Sequence, residues 1–163
     1  MGIKGEIMNE NKFDLIRKEF STFKINVLES GYSLEIINPF CGNNIILCYE
    51  DAIDGYVLYF TYQHWHLNNE KDVIKYIKDI INGEIFSIEF FEDDERHFGG
   101  SINKEELENL SYVSLASLFY GVDELKKFVN YFKIRGFHKE DNYDAKFIIE
   151  ENGKVNIEME RKI

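Results

Sequence analysis

The sequence predicts an α+β fold: a mostly antiparallel sheet of meanders and hairpins, with three to four helices packed on it. Three observations carry this expectation. Short apolar runs recur between turn residues through the first third of the chain and again near its end. Two longer segments space their apolar residues at the period of a helix. Finally, Asn152-Gly153, flanked by arms of alternating character, is a favoured hairpin turn pair. Helices inserted between antiparallel pairs give α+β and not an alternating α/β order.

Taken in order, Phe13, Leu15, Ile16, Phe20 and Phe23 predict a helix over 11–23. Residues 24–28, 32–37, 44–49 and 55–66 read as strands, separated by Gly31, Asn38-Pro39 and Gly42-Asn43-Asn44. Asp54-Gly55 signals a hairpin. Asn69 is placed to cap a helix whose first turn carries Glu70 and Asp72, where the helix dipole favours acids. Val73, Ile74, Ile77, Ile80 and Ile81 form its apolar face, and Asn82-Gly83 supplies the stop. Residues 84–91 return to strand, Glu92-Asp93-Asp94-Glu95 forms a tip, and 96–102 is the partner strand. Asn103 and Glu106 have capping-box spacing. Val122, Leu125, Phe128, Val129 and Phe132 predict a further helix ending near Gly136. A last hairpin pairs 147–150 with 155–160, with Val155, Ile157 and Met159 on one face.

At 163 residues the chain fits one domain over 11–163, behind a flexible leader over 1–10. A hydrophobic fraction of 44% with 15% aromatics is too apolar for a disordered chain. The net charge of −11 repels phosphate backbones and anionic lipid, so no nucleic acid and no membrane is expected as partner. The same charge attracts a basic protein. Cys41 and Cys48 lack CxxC spacing and read as free thiols of a reducing compartment, which makes the cytoplasm the expected location.

Few residues stand out for chemistry. His64 and His66 alternate on a strand and so share a face, from which two imidazoles can reach one divalent ion. A third ligand would come from His97, Glu89 or Asp94. The plainer reading is that the pair ends the face begun by Tyr56, Leu58, Phe60 and Tyr62. Trp65, on the opposite face behind Val57, Tyr59, Thr61 and Gln63, is either a partner anchor or a cover for a core edge. Glu92, Asp93, Asp94 and Glu95 offer a basic partner four carboxylates, or merely form a solvated turn. Ser111, Ser114 and Ser117 lie in an apolar segment and read as packing residues. No GxSxG elbow, phosphate-binding loop or dinucleotide fingerprint occurs, so no catalytic residue and no cofactor is expected.

The phrases Tyr62-Gln63-His64-Trp65-His66, Ile88-Glu89-Phe90-Phe91 and Phe98-Gly99-Gly100 sit in a lone acidic, aromatic-rich chain. In this it resembles the small immunity proteins encoded beside bacterial polymorphic and contact-dependent toxins. The resemblance implies a non-enzymatic protein that meets the basic cleft of a cognate toxin with an acidic surface and blocks it. Trp65 and Glu92 to Glu95 are the partner-binding residues this reading names. Two alternatives stand beside it. One is a divalent-metal-binding protein or metal-dependent hydrolase using His64 and His66. The other is a homodimer formed through an exposed sheet edge or the Trp65 face.

Overall fold

Alternation of buried and exposed residues, closed by short turns, generates two sheets in the computed structural model, which describes residues 12–28, 31–119, 125 and 129–162. The chain is α+β, as expected. Two antiparallel five-stranded sheets are accompanied, among the described residues, by four helices. Backbone contacts divide it into two units, Met1–Asn82 and Gly83–Ile163, each built on one sheet. The leader expected over 1–10 lies outside the described residues.

In the first unit, helix α1 over 12–19 is followed by a meander whose strands pair in chain order. These are β1 (Ile25–Leu28), β2 (Ser33–Ile36), β3 (Ile45–Glu50), β4 (Gly55–Phe60) and β5 (Gln63–Leu67). One sheet face contributes Leu34, Ile36, Ile45, Leu47, Leu58 and Phe60 to the core, all fully buried. Helix α2 (Glu70–Ile81) buries Val73, Ile77 and Ile80, while α1 buries Phe13 and Ile16. The Asn69 side chain accepts the Asp72 amide at 2.9 Å, which is the expected cap. Both cysteines are unbridged: Cys48 Sγ accepts from Ser33 Oγ and Cys41 Sγ from Asn38 Nδ2.

The run read as one strand over 55–66 is two strands. Thr61 and Tyr62 form a tight two-residue turn, and Phe60 pairs with Gln63. Thr61 takes a positive φ of 57°, a conformation usually given to glycine or asparagine, and so the turn carries no sequence signal.

The second unit orders its strands β10-β9-β8-β6-β7. They are β6 (Ile85–Glu92), β7 (Glu95–Asn103), β8 (Tyr131–Arg135), β9 (Tyr143–Ile149) and β10 (Val155–Arg161). Between β7 and β8 lie α3 (Lys104–Glu108) and α4 (Tyr112–Leu118). Phe86, Ile88, Phe90, Ile102, Phe132, Ile134 and Ala145 form the sheet side of the core, covered by Tyr112, Leu115, Ala116, Leu125 and Val129. Phe90 is its centre, stacked on Phe98 with centroids 4.7 Å apart and edge-on to Phe119 at 5.0 Å.

Three local expectations are corrected here. The helix drawn to Gly136 gives way to strand β8, in which Phe132 and Ile134 point to the core; Leu125 is helical, and Val122 and Phe128 lie outside the described residues. Ser111 and Ser114 are caps, each accepting the other's backbone amide at the start of α4, and Ser117 Oγ donates to the Val113 carbonyl. The last hairpin turns through three residues, because only Gly153 has positive φ (85°) and Glu150 and Lys154 still pair. The Asn103–Glu106 capping box forms as expected.

Gly136 marks a close approach. A Cβ there would lie 2.6 Å from Asp141 Cβ and 2.9 Å from the Phe86 ring, whereas a Cβ on Gly42 would meet nothing within 4 Å. Gly136→Ala is therefore expected to destabilise the protein by about 1–3 kcal/mol through overpacking. Gly42→Ala should stay within about 0.5 kcal/mol of the parent, as surface changes do. Urea denaturation of the two variants measures the contrast.

Candidate functional site

The meander brings residues distant in sequence to the N-terminal end of α2. Tyr49 on β3 and Tyr56 on β4 are directly paired across the strands. Their rings meet edge to face, 5.3 Å between centroids. Around them Lys12, Asp54, Asn68, Asn69, Glu70 and Lys71 line an open cleft of about 470 Å³. Asp54 holds a left-handed conformation (φ 45°) at the β3–β4 connection, which aims its carboxylate at Tyr49. The Tyr49 hydroxyl donates to that carboxylate.

The cleft's main chemical feature is how it holds a cation. The Lys12 ammonium sits 4.9 Å from the centre of the Tyr49 ring and 4.0 Å from Asp54 Oδ1. An aromatic face and a carboxylate are the two elements that recognise a lysine or arginine head group. Asp54 is largely exposed, so the ion pair is screened and weak. Neither tyrosine is poised for proton transfer at neutral pH. Hydrogen bonding to Asp54, then burial, raises the Tyr49 phenol. Burial, then the Glu70 charge, raises Tyr56 further still. Tyr56 is almost fully buried and donates to the Lys12 carbonyl at 2.7 Å.

His64 and His66 lie on β5, an edge strand of the first sheet, and both are exposed. Their ring centroids are 5.3 Å apart. The turn at Thr61-Tyr62 reverses the expected face: β5 pairs His64 with Tyr59 and His66 with Val57. Those two residues, and not Tyr56, Leu58 and Phe60, share the histidine face. Trp65 pairs with Leu58 and turns toward the core side, half-buried, with its ring 5.8 Å from that of Tyr76 on α2. Among the described residues, no three or more His, Cys, Asp or Glu side chains converge to hold a metal ion. His97, Glu89 and Asp94 belong to the second unit. There His97 Nε2 lies 2.9 Å from Glu92, and Glu89 is buried 3.7 Å from Arg96 Nε.

The acidic tip is an ordered turn. Glu92, Asp93, Asp94 and Glu95 are all exposed. Asp93 has φ 52°, and Asn130 holds it from both sides: its Oδ1 accepts the Asp93 amide at 3.0 Å and its Nδ2 donates to the Asp93 carboxylate at 3.1 Å. The Asn130 amide in turn donates to the Phe91 carbonyl. No helix among the described residues is long and apolar enough to cross a membrane.

The Tyr49–Tyr56 cleft was not foreseen in the sequence. Asp54-Gly55 and Asn69 were visible as turn and cap, but nothing in their spacing shows that they share a cleft with Lys12. Comparison with protein-family models, with curated proteins and with solved structures found no match to this chain.

The tyrosines generate a pH prediction. A phenol raised on folding stabilises the fold while protonated, fully so below the ordinary tyrosine value of about 10, and loses that contribution as pH rises above it. Tyr56→Phe is expected to cost about 1 kcal/mol at neutral pH for the lost hydrogen bond. Its stability should then fall less steeply than the parent's above pH ~10. Urea midpoints at neutral and alkaline pH read both effects.

Proposed function

We propose that this protein is a non-enzymatic cytoplasmic binding protein that holds a basic protein partner against an acidic surface, in the manner of an immunity protein blocking a toxin. The observation that carries the proposal is the Asn130-clamped tip, which presents Glu92, Asp93, Asp94 and Glu95 in one fixed turn. A preorganised cluster loses less conformational freedom on binding than a mobile one. Set in a chain of net charge −11, it would speed encounter with a basic partner and select against acidic ones.

Two further features support this reading. The cleft around Tyr49 and Asp54 already receives an ammonium, that of Lys12. Trp65 adds a half-buried aromatic of the type that anchors interfaces.

The test is capture of the partner from native lysate on immobilised protein, with E92Q/D93N/D94N/E95Q beside the parent. Asparagine tolerates the left-handed backbone at position 93, so the tip should keep its shape. A basic protein retained by the parent at low salt, weakened at high salt and lost from the variant is the expected result. Equal retention by parent and variant, or retention indifferent to salt, would refute the acidic-surface mechanism.

A further inference from the structure

The histidine pair on β5 has the spacing of two ligands on one tetrahedral ion. A zinc ion bound at about 2.0–2.1 Å to one nitrogen of each of two imidazoles holds their ring centroids about 5 Å apart. His64 and His66 stand at 5.3 Å, exposed, on one face of the strand. Two ligands leave a tetrahedral ion two positions short, and no third ligand converges on them among the described residues.

The edge on which they sit can supply the rest. In a two-residue hairpin the closing pair, Phe60 and Gln63, exchanges backbone hydrogen bonds, and the pattern then alternates along the ladder. Gln63, Trp65 and Leu67 consequently aim their N–H and C=O groups at β4, while His64 and His66 aim theirs outward. An antiparallel copy of β5 centred on Trp65 sets His64 opposite the other copy's His66, and the reverse. That register joins outward groups to outward groups. Opposed Cβ atoms then lie about 4.5–5.5 Å apart on a common face, so the four imidazoles form a square over the two-fold axis. On the opposite face the two Trp65 rings become cross-strand neighbours, a favourable aromatic pair.

We propose that His64 and His66 form a zinc site completed by the same two residues of a second copy, with β5 pairing antiparallel to β5. The strand is suited to this, since Gln63 to Leu67 carry no formal charge and its pairing shows no bulge. β7 and β10, the edges of the other sheet, are charged. This site uses none of the residues of the acidic tip, although pairing would occupy the Trp65 face offered above to a basic partner.

The test uses untagged full-length protein, stripped with chelator and titrated with zinc chloride while mass is followed by light scattering. The expected result is a rise from 19.3 kDa to twice that value, complete near half an equivalent of zinc per chain and reversed by chelator. His64→Gln and His66→Gln, both on the surface, should each abolish the rise without altering far-ultraviolet signal from the fold outside the paired tryptophans. Because Trp65 is the single tryptophan, doubling should also bring an exciton signal from two apposed indoles. Zinc bound with no change of mass, a doubling that survives both substitutions together, or a doubling without the exciton signal would each overturn the proposal.

Discussion

The closure of β4 on β5 through only Thr61 and Tyr62 governs which side chains of β5 face the core and which face away from it. When two residues separate the paired ends, partners sum to an odd number, so an even-numbered residue always faces an odd-numbered one. Leu58 and Phe60 point to the core, and Trp65, not His64 or His66, must join them. A slip of one residue would turn both imidazoles to the core side and carry Trp65 and Leu67 away from it. The left-handed Thr61 is the local cost of that register, an uncommon conformation for a β-branched residue that the surrounding ladder must hold in place. From this register follow the exposure of the histidines, the contact of Trp65 with Tyr76 and the outward aim of the β5 backbone.

The second sheet applies the same alternation to a different end. Phe86, Ile88 and Phe90 of β6 enter the aromatic core, so Ser87, Glu89 and Phe91 take the other face. Glu89 is buried there beside Arg96, a pairing whose desolvation cost offsets much of its attraction. On the same face, burial acts against ionisation of Asp144, but Arg135 and Lys162 outweigh it and hold its carboxyl below the usual range. That preference stabilises the fold above the ordinary aspartate value and is lost as acid protonates the group. On this face Glu89 is paired with Arg96, and Asp144 with Arg135 and Lys162. At the tip the shift of register between Phe90 and Phe91 precedes a turn that leaves four carboxylates in water.

What the sequence disclosed depended on whether the signal was local. Helix α2 was legible because Asn69, the early acids and the spacing of Val73, Ile77 and Ile80 all reinforce one another within one segment. The β6–β7 hairpin and the Asn103 box were legible for the same reason. Strand β8 was not: Phe128, Val129 and Phe132 repeat at helical spacing, and the five-residue alternation that follows is too short to compete. The β4–β5 turn was hidden because it uses threonine where glycine or asparagine would have announced it. The Tyr49–Tyr56 cleft was hidden more deeply, since positions 12, 49, 54, 56 and 70 meet only through the meander. The division after Asn82 likewise left no mark in composition; Asn82-Gly83 reads as a helix stop and nothing more.

Charge and edge protection bear on each other in this molecule. An unpaired strand edge invites self-association, and acidic or basic side chains along it are a common defence. Here β7 and β10 carry that defence, while β1 and β5 do not. The net charge of −11 provides a general one, because two copies approaching along β5 repel each other, though within a Debye length of about 8 Å at physiological salt. Five residues of backbone pairing make a small contact to set against that repulsion. A divalent cation on the two-fold axis changes the balance in two ways at once: it adds positive charge where the two acidic bodies meet, and it ties four neutral side chains to one centre. An edge left free of charge in a strongly acidic chain is therefore better suited to conditional pairing than to permanent pairing, and the placement of both imidazoles on that edge supplies the condition.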